Sequence, residues 1–258
     1  MKMGLALLSA ILFLALFGPI ISGYGFDEIH LELQNTPPGS TFWLGSDDLG
    51  RDLFTRICYG ARISLFVGCA AAVIDLAVGI LWGGIAGYFG ARADRVLMGV
   101  ADILYSIPYL LFVILFLVYL GPGIGSLLIS LSLIGWIPMA RIVRGQVMQL
   151  RNQEFVYAAI AYGASTPRIL CNHILPNALG PILVTLTLTI PSAIFAEALL
   201  SFVGLGVPPP SASWGTLVSE GIWAMTYYPW RFFFPALFLI ATVFAFNRIA
   251  EGLRHASA

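Results

Sequence analysis

Charge is what this chain has least of. Of its 258 residues only 10% are Asp, Glu, Lys or Arg, against about 25% in an ordinary soluble domain. The 13 basic and 13 acidic residues cancel, so no electrostatic field draws it to nucleic acid. Lys2 is the sole lysine, and without a second one no GxxxxGK[ST] phosphate loop can be written. Any uphill work would therefore need ATP hydrolysis by a partner. The three histidines, His30, His173 and His255, stand apart, and no HExxH occurs. No Ser/His/Asp or Cys/His order suggests a nucleophile with its base, so the chain reads as non-catalytic, with no cofactor or metal site of its own. Cys58, Cys69 and Cys171 lack CxxC or metal spacing and read as small apolar residues within helices.

What is abundant is oil. Apolar residues make up 59% of the sequence and the mean hydropathy is +0.90. A helix needs about 20 such residues to cross the hydrocarbon of a bilayer. Six stretches meet that length: Leu5–Ile21, Ile63–Tyr88, Val100–Leu120, Ile124–Val143, Pro181–Leu205 and Phe232–Ala250. The expected fold is all-α, a multi-pass membrane protein with six transmembrane helices. The first run follows Lys2 as a signal peptide would. It has no small-x-small cleavage pattern, however, and Phe17-Gly18-Pro19-Ile20 stays apolar, so it reads as an uncleaved span.

Basic residues mark the cytoplasmic side. An inside N-terminus collects Lys2, Arg92, Arg95, Arg141, Arg144, Arg151, Arg168, Arg248 and Arg254 inside. It leaves Arg51, Arg56, Arg62 and Arg231 outside. Nine against four predicts that both termini are cytoplasmic. Residues 22–62, with six carboxylates from Asp27 to Asp52, become an extracytoplasmic segment. Within it, Leu49–Arg62 predicts an outer amphipathic helix with Arg51, Arg56 and Arg62 toward water or headgroups.

One stretch is unlike its surroundings: "EFVYAAIAYGASTPRILCNHILPN", residues 154–177. It falls inside, between the fourth and fifth spans. Leu150–Tyr162 predicts a helix with Phe155, Ala158, Ala159 and Tyr162 on one face. Gly163 can take a positive φ and end it. Thr166 then caps a second helix, Pro167 sits at its first position, and Pro176 stops it.

This stretch resembles the EAA loop of permease subunits in binding-protein-dependent ABC importers. Ala158, Ala159, Gly163, Leu175 and Pro176 fit that pattern in register, while Tyr157 stands where its Glu usually does. Five further blocks resemble the C-type permease of the dipeptide, oligopeptide and nickel importers. They are "WLGSDDLGRDLFTRICYGARISL", "AGYFGARADRVLMGVADILYSIP", "ARIVRGQV", "AEALLSFVGLGVPPPSASWG" and "VFAFNRIAEGLR". The resemblance spans about residues 40–258. It implies a type I importer permease in a bacterial inner membrane, forming half of a pore for di- or oligopeptides, with nickel as the alternative cargo. It implies as partners a second permease, two ATP-binding ATPase subunits and an extracytoplasmic binding protein. It divides the chain into 1–62, a first span with its outer segment, and 63–258, a five-helix permease domain with the loop at 144–177. It assigns the ATPase contact to Tyr157, Ala158, Ala159, Tyr162, Gly163, Ala164 and Ser165. A stand-alone carrier would instead show an internal repeat, and none is evident.

Two carboxylates lie deep in spans, where charge is costly. Asp75 is expected either to hydrogen-bond across helices or to line the path. Glu197 is expected either to pair with Ser201 or to line it. Asp102 is expected near a helix N-terminus or paired with arginine. Gly79, Gly83, Gly84 and Gly87 predict close packing, in this chain or against a partner. Pro108 and Pro191 predict kinks. In the outer loop 206–231, Trp214, Leu217, Val218, Ile222 and Met225 predict a short interfacial or re-entrant helix.

Overall fold

The computed structural model describes residues 1–256. Twelve α-helices run in chain order, with no strand beyond one isolated bridge, Ser46 to Asp52, among the described residues. Four are long and apolar enough to cross a bilayer: α1 (Lys2–Ser22), α2 (Leu53–Phe89), α10 (Leu179–Phe202) and α12 (Trp230–Ala256). Two bent pairs bring the number to six where each pair is taken as one span. Helix α3 (Ala91–Tyr105) meets α4 (Tyr109–Leu120) at 81°, and α5 (Ile124–Gly135) meets α6 (Ile137–Leu150) at 41°. On that count the protein is an all-α membrane protein with six crossings, two of them broken.

Both breaks have a local cause. Ile107 precedes Pro108, which disfavours α geometry at Ile107 and leaves Pro108 as the cap of α4. Pro138 stands in the first turn of α6, where its missing N–H is harmless. By contrast α10 runs without interruption through Pro191. Helix position, not proline count, decides where the chain breaks.

Helix α2 is the axis of the molecule and the largest departure from expectation. It begins ten residues before the predicted span, because Leu49–Arg62 is no separate surface helix. Asp52 caps the start, accepting the Thr55 N–H at 2.9 Å and the Thr55 hydroxyl at 2.6 Å. Of the arginines of this stretch, Arg51 and Arg56 are buried rather than facing water, while Arg62 is exposed as predicted. Arg56 is 2% exposed and donates to Asp47 and, at 2.9 Å, to Glu220. Arg51 is buried against Asp47 at 2.7 Å. Arg62 reaches the carbonyls of Ala15 and Leu16 on α1, at 2.6 and 3.0 Å. Asp47 also accepts the N–H groups of Leu49 and Arg51. Burial pushes its carboxyl up, but Arg56, Arg51 and these N–H donors outweigh burial and hold it below the usual carboxylate range.

Glycines seat α2 on α6. A side chain at Gly83 would meet the Ala140 carbonyl at 2.2 Å, and one at Gly87 the Arg144 carbonyl at 2.8 Å. Gly79 faces Met139 in the same way. The small-residue stripe is therefore used within the chain. Gly84 has nothing within 4 Å and takes no part.

Helix α11 (Trp214–Ala224) is the short helix predicted in the 206–231 loop, with its Trp214 turned into the core. Ser213 caps it by a reciprocal box with Thr216, and Trp214 is fully buried. Its indole N–H donates to Ile57 O at 3.1 Å and its backbone N–H to Ser64 at 3.0 Å. Satisfied in this way, the ring contributes its whole apolar area to the core. Truncating such a residue costs about 3–5 kcal/mol.

Candidate functional site

Two places gather the residues that the sequence singled out. The first is the loop between α6 and α10. Arg151 opens it, donating to Gly87 O at 3.0 Å and Tyr88 O at 2.9 Å, and so clamps the loop to the end of α2. The predicted Leu150–Tyr162 helix is interrupted there. Helix α7 covers only Glu154–Ala161. Its buried face is Val156 and Ala159, not Phe155, Ala158 and Tyr162. Val156 and Ala159 pack with Val143, Val147, Ile169, Ile174 and Ile182.

That packing turns the other face outward. Tyr157, Ala158, Gly163 and Ser165 are exposed, and Tyr162 is 92% exposed. Ala164 is half-buried against the same cluster. The turn is sharply defined. Gly163 has φ +78°, donates to Ile160 O at 2.9 Å, and is followed by Ala164 donating to Ala159 O at 3.0 Å. These two bonds make a Schellman motif, which needs a left-handed residue where Gly163 stands. Of the seven predicted contact residues, five thus form one exposed surface, while Ala159 holds it to the core.

Helix α8 (Thr166–Ile169) starts one residue earlier than predicted, with Ser165 at the cap and no side-chain bond. Pro167 therefore lies second. Pro176 does not stop the chain either. A π-helical turn (Leu170–Ile174) leads to α9 (Leu175–Asn177), and one residue later α10 begins. Proline tolerates the first turn of a new helix, and Pro176 occupies one.

The second place is a cavity of about 660 Å³ walled by α2, the α3–α4 bend, the α5–α6 junction and α10. Asp75 lines it, 4% exposed. Among the described residues no hydrogen bond from Asp75 crosses to another helix, and Oδ1 has no partner. Gly135 lies directly against the carboxylate; a side chain there would come within 2.6 Å of Oδ2. The sequence reading missed Thr185, Thr189 and Ser192, which line the same cavity from α10. Their spacing of four and three was the available signal.

Glu197 does not line this cavity. It is fully buried, and Oε1 accepts Ser201 at 2.7 Å, as expected, and also Ser213 at 2.6 Å. It fastens α10 to the cap of α11. Asp102 lies near the C-terminal end of α3, not at a helix start, and accepts Arg141 at 2.8 Å.

Comparison with known proteins agrees with this architecture. The family model for the binding-protein-dependent transport system inner membrane component matches residues 79–256. The oligopeptide transport system permease protein OppC of Bacillus subtilis (strain 168) is 53% identical over 253 residues, covering 98% of this chain and 83% of that protein. The dipeptide transport system permease protein DppC of the same organism is 48% identical over 254 residues, covering 98% and 79%. Among solved structures, the MetNI methionine ABC transporter in an inward-facing conformation matches with a TM-score of 0.60 at 16% identity, over 79% of this chain and 96% of that one. An amino acid ABC transporter matches at 0.58 and 16% identity, over 78% and 93%. A family match over most of the chain and relatives this similar place it plainly: the chain belongs to the binding-protein-dependent transport system inner membrane components.

Proposed function

We propose that this chain is a permease subunit of an ATP-driven importer for di- or oligopeptides in a bacterial inner membrane. The observation that carries the cargo is the near full-length likeness to permeases named for oligopeptide and dipeptide transport. In this reading the chain forms half of a pore with a second, homologous permease. Two ATPase subunits bind and hydrolyse ATP, and an extracytoplasmic binding protein delivers the peptide. The chain itself is non-catalytic and carries no cofactor.

The geometry supports a division of labour along α2. Residues 1–62 form the first span and the outer segment, and residues 63–258 form the permease domain. Both termini and the 144–177 loop lie in the cytoplasm. The exposed face of α7 with Tyr162, Gly163 and Ser165 is the ATPase contact. A short helix held from behind by Val156 and Ala159 is stiff enough to pass a displacement into α6 and α10, which share its core. Tyr157 offers an aromatic body and a hydroxyl where a carboxylate would stand in the EAA pattern.

The test is to purify the tagged chain from its native membrane and identify what comes with it, then measure uptake in proteoliposomes. A second permease, two ATPase subunits and ATP-dependent uptake of labelled dipeptide are expected. Uptake of nickel but not dipeptide would overturn the cargo. A chain that transports alone, without ATP, would overturn the assignment altogether.

A further inference from the structure

The cavity beside Asp75 has a one-sided chemistry. Its only charged lining residue is Asp75. Six hydroxyls share the wall; Tyr105 is half exposed with its ring under the Arg141 guanidinium, and the other five have already committed their hydrogen. Tyr109 donates to Leu131 O at 3.3 Å, Thr185 to Pro181 O at 2.9 Å, Thr189 to Thr185 O at 3.0 Å, and Ser192 to Leu188 O at 2.9 Å. Ser106 donates to Ile103 O at 2.6 Å. A hydroxyl whose hydrogen is spent offers only lone pairs. These five side chains thus present acceptors around a carboxylate that is 4% exposed and has Oδ1 unpartnered.

Held ionised, a carboxylate in this setting is costly without a cation. A buried charge needs a counter-charge or donors, and neither Arg, Lys nor His lines this space. An anionic group would meet the carboxylate and oxygen lone pairs. An ammonium group, with three donors and no acceptor, is complementary to it. The volume, about 660 Å³, lies within the range of roughly 300–1,000 Å³ typical of small-molecule sites. Gly135 contributes by absence: no side chain crowds the carboxylate on that wall.

We propose that Asp75, with the hydroxyls of Tyr109, Thr185, Thr189 and Ser192, forms a subsite for the protonated amino group of the transported peptide. The assignment rests on the peptide-importer reading and adds to it a place where cargo is held within this chain. Asp75 accepts the ammonium N–H, and the hydroxyl oxygens accept the remaining donors in turn.

The experiment uses the whole purified complex in lipid nanodiscs, without the binding protein. Alanyl-alanine, N-acetyl-alanyl-alanine and n-propylamine are the probes, and retained partner subunits report assembly. The native complex is expected to bind alanyl-alanine and propylamine, with the acetylated peptide about tenfold weaker, the scale of one charge-assisted hydrogen bond. Asp75→Asn should abolish that preference with assembly intact, Asp75→Glu should restore part of it, and Thr189→Val should weaken amine binding about threefold. No measurable amine binding, or a preference unchanged in Asp75→Asn, overturns the subsite. So does displacement of propylamine by sodium chloride but not by choline chloride, which would make it an inorganic-cation site. If Asp75→Asn fails to assemble while Thr189→Val binds as the native complex does, the carboxylate is structural and the proposal falls. Dipeptide uptake with amine binding independent of Asp75 sinks the subsite alone. Asp75-dependent propylamine binding in a complex that imports no peptide sinks the peptide reading alone.

Discussion

Gly163 shows how one residue can matter without a single side-chain contact. Nothing lies within 4 Å of where its Cβ would be, yet its φ of +78° strains any other residue by about 1 kcal/mol. Gly163→Glu should therefore insert and fold, while placing charge on the surface proposed to meet an ATPase. The expected outcome is loss of ATPase subunits on purification or loss of uptake-coupled hydrolysis, with Ser211→Glu in the outer loop as the unaffected control. Full stoichiometry and coupling in Gly163→Glu would refute the contact. Asp47 supports a different prediction. Its carboxyl is held below its ordinary value of 3.8 in the folded protein. The stability it confers is complete above that ordinary value and is lost as pH falls through the lower folded one. Asp47→Asn leaves Arg51 and Arg56 short of an anion and should cost about 3 kcal/mol near neutrality. Thermal unfolding of the variant should also lose part of the native protein's sensitivity below about pH 4.

At the scale of elements, the oily runs were legible because lipid leaves the chain few choices. Each of the six predicted runs falls on one of the four long helices or the two bent pairs, although α2 begins ten residues early. The Gly163 turn was legible too, since only glycine suits its backbone. What escaped was whatever depends on a distant partner. Arg56 looks like a headgroup residue until Glu220, 164 positions away, appears beside it. The face of α7 was only partly placed: Ala159 lay on the predicted stripe, but Phe155, Ala158 and Tyr162 fit its spacing while Val156, which packs with Ala159 in the core, lies off it. Asp75 could be read as costly, but not as unpaired. The α2–α6 seam gives a paired test. Gly83→Ala forces a methyl against the Ala140 carbonyl and should destabilise by about 1–3 kcal/mol. Gly84→Ala, one residue on, meets nothing and should be neutral or slightly stabilising. Melting of the purified variants in one detergent decides it, and equal effects at the two sites would disprove the seam.

The whole molecule has a sidedness that labelling can check. With Cys58, Cys69 and Cys171 replaced by alanine, a membrane-impermeant maleimide should reach Gly39→Cys in intact cells. It should reach Ser165→Cys only after the membrane is opened. The reverse pattern would invert the proposed orientation.

Helix α2 gives the molecule a further property. Its 37 residues make an unbroken rod about 55 Å long, well beyond the roughly 30 Å of hydrocarbon it crosses. At one end it carries the Arg56 ion pairs, and at the other the carbonyls that hold Arg151. It has no joint between them. Because the helix is continuous, a tilt at the Arg56 end moves the Arg151 end as well, as in a lever. The neighbouring α3–α4 pair is bent at 81°, so a continuous helix and an elbow both line the space that Asp75 faces.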